Sequence, residues 1–230
     1  MSTVKTDTTL PLLGGHYHFL LRRLHSLTGI VFGGYLVVHL IVNATIAQGG
    51  RAYQVQVDKL ESLPFVWLIE WTLIYIPILY HAAYGTWIIL TGQPNAASYP
   101  YAKNWLYLLQ RISAGILVLF LLFHVLSLRF HLLGSALSFN TEDATYTTWR
   151  HMHAHPAIAY FVYPVGILAS CFHLANGFWT AGITWGLTVS SRGQRRWGLV
   201  CILLFIVTYA FGMVAWIALL SMVPPASLAR

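Results

Sequence analysis

Trp197-Gly198-Leu199-Val200-Cys201-Ile202-Leu203-Leu204-Phe205-Ile206-Val207-Thr208-Tyr209-Ala210-Phe211-Gly212-Met213-Val214-Ala215-Trp216-Ile217-Ala218-Leu219-Leu220-Ser221-Met222-Val223 contains no acidic, basic or histidine side chain. A hydrocarbon core of roughly 30 Å is crossed by about 20 apolar residues in helical form, so this stretch is long enough to span a bilayer. Four more runs meet the same length, approximately Leu24 to Ala47, Phe65 to Thr91, Trp105 to Leu128 and Pro156 to Thr184. The whole chain agrees with them. Of 230 residues only 13 are Lys or Arg and 6 Asp or Glu, or 8% charged, against roughly 25% in soluble domains. With 57% hydrophobic residues, the chain has too little polar surface to cover itself in water and too much apolar surface to stay disordered.

The class that remains is all-α, an integral membrane bundle of five transmembrane helices. Lipid offers the backbone no hydrogen bonds, and the alternation of a membrane strand is missing. The chain divides into a cytoplasmic N-terminal segment 1–23, a transmembrane domain 24–223 and a C-terminal tail 224–230. Gln48-Gly49-Gly50, Gly92-Gln93-Pro94-Asn95 and Ser190-Ser191-Arg192-Gly193 supply turn chemistry between spans. No cleavable signal peptide is expected, since no apolar stretch precedes Arg22-Arg23. The two cysteines, Cys171 and Cys201, lie in different apolar runs and offer no disulfide framework, Cys-rich metal site or covalent haem attachment.

Five spans put the termini on opposite sides. Lys5, Arg22, Arg23, Lys103, Arg111, Arg192, Arg195 and Arg196 fall with the N-terminus, and Arg51, Lys59, Arg129, Arg150 and Arg230 fall opposite. The richer side faces the cytoplasm, which places the N-terminus inside. Asp58, Glu61, Glu142 and Asp143 all fall in outer loops.

Ionisable residues within spans are functional candidates by default. The deep set is His39, His81, His124 and His173, one in each of the first four spans. Glu70 and Arg111 lie near span ends and can reach the interface. His39 is sixteen residues past Arg23, about 24 Å from the inner side, and His124 is five residues before Arg129, about 8 Å from the outer side. His81 and His173 each lie seventeen residues inward from Pro64 and Pro156, about 25 Å. Depth therefore pairs His39 with His124 near the outer side, and His81 with His173 near the inner side. Two facing neutral imidazoles make the axial pair of a b-type haem, and two layers imply two haems. The plainer reading, four unrelated histidines each bonding a neighbouring helix, does not explain one residue per helix in two matched layers.

His81-Ala82-Ala83-Tyr84-Gly85-Thr86-Trp87 and His173-Leu174-Ala175-Asn176-Gly177-Phe178-Trp179 share the pattern HxxxGxW. Gly85 and Gly177 lie one turn beyond each histidine on its own face, where a flat macrocycle can approach the backbone. Leu27-Thr28-Gly29 and Ser113-Ala114-Gly115 form a looser echo before His39 and His124, and Gly29 and Gly115 suit tight helix contacts equally well.

Arg22-Arg23-Leu24-His25-Ser26-Leu27-Thr28-Gly29, Leu40-Ile41-Val42-Asn43 after His39, Tyr80-His81-Ala82-Ala83-Tyr84-Gly85 and Phe172-His173-Leu174-Ala175-Asn176-Gly177 resemble the di-haem cytochrome b subunit of succinate:quinone oxidoreductase, the b558 family. The resemblance covers essentially all five spans. It implies a bacterial inner-membrane anchor with a proximal haem b at His81 and His173 and a distal one at His39 and His124. It also implies partners: an iron-sulfur subunit, reduced by a flavoprotein subunit that oxidises succinate, with a quinone as acceptor and menaquinone favoured. The same anchor architecture serves fumarate reduction. Arg22, Arg23, His25, Ser26 and Arg111 cluster where haem propionates or a quinone head group need cations and donors, or where arginines anchor the interface. Glu61 is placed to exchange quinone protons or is simply solvated. His151, His153 and His155 alternate in an outer loop, as a metal site or, preferably, a polar interfacial segment.

Two other classes fit parts of the pattern: a haem-free helical transporter with a histidine proton relay, and the cytochrome b subunit of another respiratory dehydrogenase. A reduced-minus-oxidised spectrum is expected to show b-type absorption from about two haems per chain. Fewer removes the electron-transfer reading. Replacement of His25 is expected to leave both irons bound.

Overall fold

The computed structural model describes residues 15–93 and 95–223. Lys5, Pro94 and Arg230, most of the N-terminal segment and the whole tail 224–230 lie outside those residues. The chain is an all-α membrane bundle: among the described residues, five helical stretches are long and apolar enough to cross a bilayer. In chain order the helices are α1 (Gly15–Ala44), α2 (Gly50–Glu61), α3 (Val66–Glu70), α4 (Ile76–Thr91), α5 (Ala102–Leu128), α6 (Ala144–His153), α7 (Tyr163–Thr184) and α8 (Ser191–Ser221). The second span comprises α3, a π-helical turn at Trp71–Tyr75 and α4, and the fourth comprises a π-helical turn at Ile158–Val162 and α7.

Both π turns have the same cause. Pro77 and Pro164 each stand two residues past the end of one. A proline lacks the N–H that would bond one turn back, and its ring collides with that carbonyl, so the preceding turn widens. The first span ends in a 3₁₀ turn, Thr45–Gln48, closed by the amide of Gly49 on the Ile46 carbonyl at 3.0 Å. Gly49 has φ 108°, a value side chains avoid, and it turns the chain out of the membrane into α2. The last helix starts with Ser190 accepting from the Gly193 amide at 3.0 Å, a standard N-cap.

Helices α1, α4, α5 and α7 form a ring in which α1 adjoins α4, α4 adjoins α5, α5 adjoins α7 and α7 adjoins α1. Alternate direction along the chain makes the diagonal partners, α1 with α5 and α4 with α7, parallel. Helix α8 braces the ring against α7 and α1. Its outward face stays apolar, with Leu199 64% exposed, as do Leu90 at 78% on α4 and Leu119 at 72% on α5, which suits a lipid-facing surface.

The connections that follow the first and third spans are not simple loops. Helix α6 packs on α2 and on the end of α8, forming a cap in which Ile46, Tyr53, Val57, Ala144, Met152, Ala159, Ala215 and Leu219 are buried together. Polar groups close it: Gln54 Oε1 accepts from the Ala144 amide at 2.9 Å, and the Thr145 hydroxyl donates to the Gly50 carbonyl at 2.7 Å. At the rim, Arg129 donates to Glu70 at 2.6 Å and to the Tyr75 hydroxyl at 3.0 Å, so Glu70 reaches the interface with a cationic partner.

Close packing of α5 on α7 depends on Gly166, where an added Cβ would lie 2.5 Å from the Phe120 ring. Gly166→Val is therefore expected to destabilise the protein by about 1–3 kcal/mol through overpacking. Thermal unfolding in detergent measures it, and an unaltered midpoint would contradict the packing described.

Candidate functional site

The four intramembrane histidines sit on the two diagonals of the ring. His39 on α1 faces His124 on α5 with ring centroids 5.9 Å apart and planes at 89°. His81 on α4 faces His173 on α7 with centroids 6.1 Å apart and planes at 86°. Metal–imidazole bonds are about 2.0–2.1 Å, and each ring adds a little over 1 Å from nitrogen to centroid. One iron between two imidazoles thus needs centroids about 6 Å apart, the spacing found twice. The levels are well separated: the ring of His25 stacks on His81, and His39 lies fourteen residues further along α1, about 21 Å.

Hydrogen bonds settle which nitrogen each ring presents. His81 Nδ1 lies 2.9 Å from the carbonyl of His25, and since a carbonyl only accepts, Nδ1 carries the proton. His173 Nδ1 lies 3.2 Å from the Ser113 hydroxyl, whose own proton goes to the Gln110 carbonyl at 3.0 Å. Ser113 must therefore accept from His173. His124 Nδ1 meets the Tyr163 hydroxyl at 3.1 Å. His39 Nδ1 meets the Tyr35 hydroxyl at 3.4 Å, while the donor Asn43 Nδ2 lies 3.4 Å from His39 Nε2 and 2.8 Å from its carbonyl. Nδ1 is the hydrogen-bonded nitrogen common to all four rings, and at His81 the carbonyl partner fixes the Nδ1–H tautomer.

Among the described residues no group of three or more His, Cys, Asp or Glu is arranged to hold a metal ion. A macrocycle that brings four nitrogens of its own needs only the axial two. His153 stacks on Trp149 with centroids 4.5 Å apart, His155 accepts from the Ala157 amide, and His151 is 1% exposed, so the outer trio forms no metal cluster. His151 is buried beneath the cap.

The remaining sequence candidates are scattered around the inner pair. A Cβ on Gly29 would come within 2.5 Å of the His81 ring, and one on Gly85 within 3.1 Å of His25. Both glycines make room for imidazoles. Gly115 opens onto free space, and Gly177 has only an ordinary contact, 3.5 Å to Gln110. Ser26 accepts from the Trp185 indole at 2.9 Å, and Arg23 lies over the rings of Phe19 and Trp185. Arg22 is exposed. Arg111 lies flat over Tyr107 with its Nε buried and unpaired, as are His25 Nδ1 and Tyr84 Oη. Glu61 is exposed at the end of α2 and joins neither pair.

Sequence reasoning did not reach Tyr35, Ser113 or Tyr163 as partners of the histidines. Ser113 and Tyr163 lie 60 and 39 residues from the rings they bond, and no local pattern marks such contacts.

Fold and site together define a class: a multi-pass helical membrane protein whose intramembrane imidazoles meet in pairs. No family profile matches the chain. It is 35% identical over 204 residues, 88% of its own length and 98% of the relative's, to the succinate dehydrogenase cytochrome b558 subunit of Bacillus subtilis (strain 168). The chain belongs to the family of succinate dehydrogenase cytochrome b558 subunits.

His151 gives the cap a pH dependence. Burial holds its pKa below the ordinary imidazole value, against a smaller opposing contribution from its bond to Leu137. The unfolded chain then binds more protons between the folded value and about 6.5, so stability rises with pH through that window and is fully present above it. Melting in detergent is expected to worsen from pH 7.5 to 5.5, and His151→Gln to flatten that slope. An equal slope in both proteins would contradict the assignment.

Proposed function

We propose that this chain is the haem-bearing membrane anchor of a succinate dehydrogenase, holding one haem b between His81 and His173 and a second between His39 and His124, and passing electrons to a membrane quinone. The observation that carries the reading is the pairing: four half-buried imidazoles, one from each helix of the ring, meet in two facing pairs with centroids 5.9 and 6.1 Å apart, each with Nδ1 hydrogen-bonded. A haem bound at each pair supplies one-electron chemistry at two depths of the membrane.

The chain's own residues do the rest. The His25 carbonyl and Ser113 hold the inner rings, Tyr35 and Tyr163 hold the outer ones, and accepting the Nδ1 proton makes each imidazole a stronger donor. His25 Nδ1, Tyr84 Oη and Arg111 Nε are buried polar atoms without protein partners around and below the inner pair. Orphaned donors of that kind are costly, and they suit carboxylates such as haem propionates. The cationic inner rim, with Arg22, Arg23, Lys103, Arg192, Arg195 and Arg196, faces the cytoplasm and receives the iron-sulfur subunit, itself served by a flavoprotein subunit. Menaquinone is the favoured acceptor, with Glu61 on the outer side available to exchange its protons.

His81→Ala and His173→Ala are each expected to lose the inner haem and keep the outer one, read as about half the b-type absorption per chain with one surviving low-spin signal. Gly29→Ala, which drives a methyl group into the His81 ring, is expected to disturb the same haem selectively. Loss of only the outer signal in either histidine variant would refute the pairing.

A further inference from the structure

The inner rings take their tautomers from groups on the spanning helices. The outer ring of His124 is different, because its hydrogen-bond path leaves the membrane-spanning segments. His151 on the cap helix α6 is 1% exposed and places Nδ1 2.9 Å from the Leu137 carbonyl. That carbonyl can only accept, so the His151 proton is on Nδ1 and, in the neutral ring, the lone pair is on Nε2. The Tyr163 hydroxyl lies 2.8 Å from that Nε2. Its single proton is therefore donated to His151. Its oxygen is left to accept from His124 Nδ1 at 3.1 Å, and the lone pair of His124 is left on Nε2. Every direction in this three-member chain follows from one backbone carbonyl.

Packing keeps the chain in register. Phe120 stacks on His124 and meets Tyr163 edge-on, with centroids 5.5 and 5.7 Å away, and Phe123 lies against His151 at 5.7 Å. The π turn at Ile158–Val162, which Pro164 imposes, delivers Tyr163 between the two histidines.

We infer that His151 and Tyr163 are positioning residues for the outer site, fixing the tautomer and ring orientation of His124 from the cap. The inference rests on the proposed haem ligation and adds to it that the two haems are tuned by different parts of the molecule. A proton acceptor at Nδ1 strengthens the imidazole as a donor and favours oxidised iron, so removing the acceptor favours reduced iron at the outer level alone.

The test is potentiometric titration of the purified, haem-loaded complex, followed by absorbance and by low-spin electron paramagnetic resonance. The signal that disappears in His124→Ala identifies the outer haem. Tyr163→Phe and His151→Phe are expected to shift the outer haem's oxidation equilibrium about tenfold toward reduction, about 59 mV for one electron, and to move its resonance positions while the inner haem stays put. Selective loss of the outer haem supports the inference equally. His151→Gln, whose amide oxygen can accept from Tyr163, is expected to restore most of the wild-type signal. If His151→Phe does not accumulate in membranes, His151→Leu takes its place. An unaltered outer haem in both the Tyr163 and the His151 variant overturns the inference, as does an equal shift of both haems. A wild-type complex without two b-type signals fails differently, since it removes the ligation itself.

Discussion

A buried imidazole in a hydrocarbon layer must place its N–H on an acceptor, because no water is there to take it and an unsatisfied donor costs a few kcal/mol. That requirement organises the interior of this bundle. It explains why His81 lies against the turn of α1 that exposes the His25 carbonyl, and why a serine stands opposite His173. It also explains tyrosines beside both outer rings. The same contacts hold the four rings in two facing pairs, so solvating the donors and bringing the imidazoles together are a single act of folding.

The five spans were legible in the sequence because hydrocarbon thickness sets a length that apolar runs such as 197–223 either meet or miss. The pairing of the histidines was legible for the same reason, since a helix of known rise is a ruler from either end. Other features were not. Helices α2 and α6 are short and only modestly apolar, and their apolar faces find each other across some ninety residues of chain. The approach of His25, on another helix, to Gly85 is not marked in either segment. His151, one of three alternating histidines, looks interfacial in one dimension and is buried in three. Each of these depends on a tertiary neighbour that local spacing does not encode.

Prolines link the two levels of description. Pro77 and Pro164 each stand just inside a helix after a widened turn, four residues before His81 and nine before His173. A straight helix would carry the side chains ahead of the turn on different faces. The local defect that a proline forces is used here to bring Tyr163 to two histidines at once, which ties a spanning helix to the cap above it.

The diagonal pairing has a consequence in the fields of the helices. Parallel partners point their carbonyl ends the same way, so each pair of rings is held by two macrodipoles acting together rather than cancelling. His39 and His124 lie five and four residues from the ends of α1 and α5, close to the negative poles, whereas His81 and His173 are ten and eleven residues from theirs. The dipole effect fades beyond the last turn. Positive charge is therefore more welcome beside His39 and His124 than beside His81 and His173, a built-in inequality between two pairs of chemically identical rings.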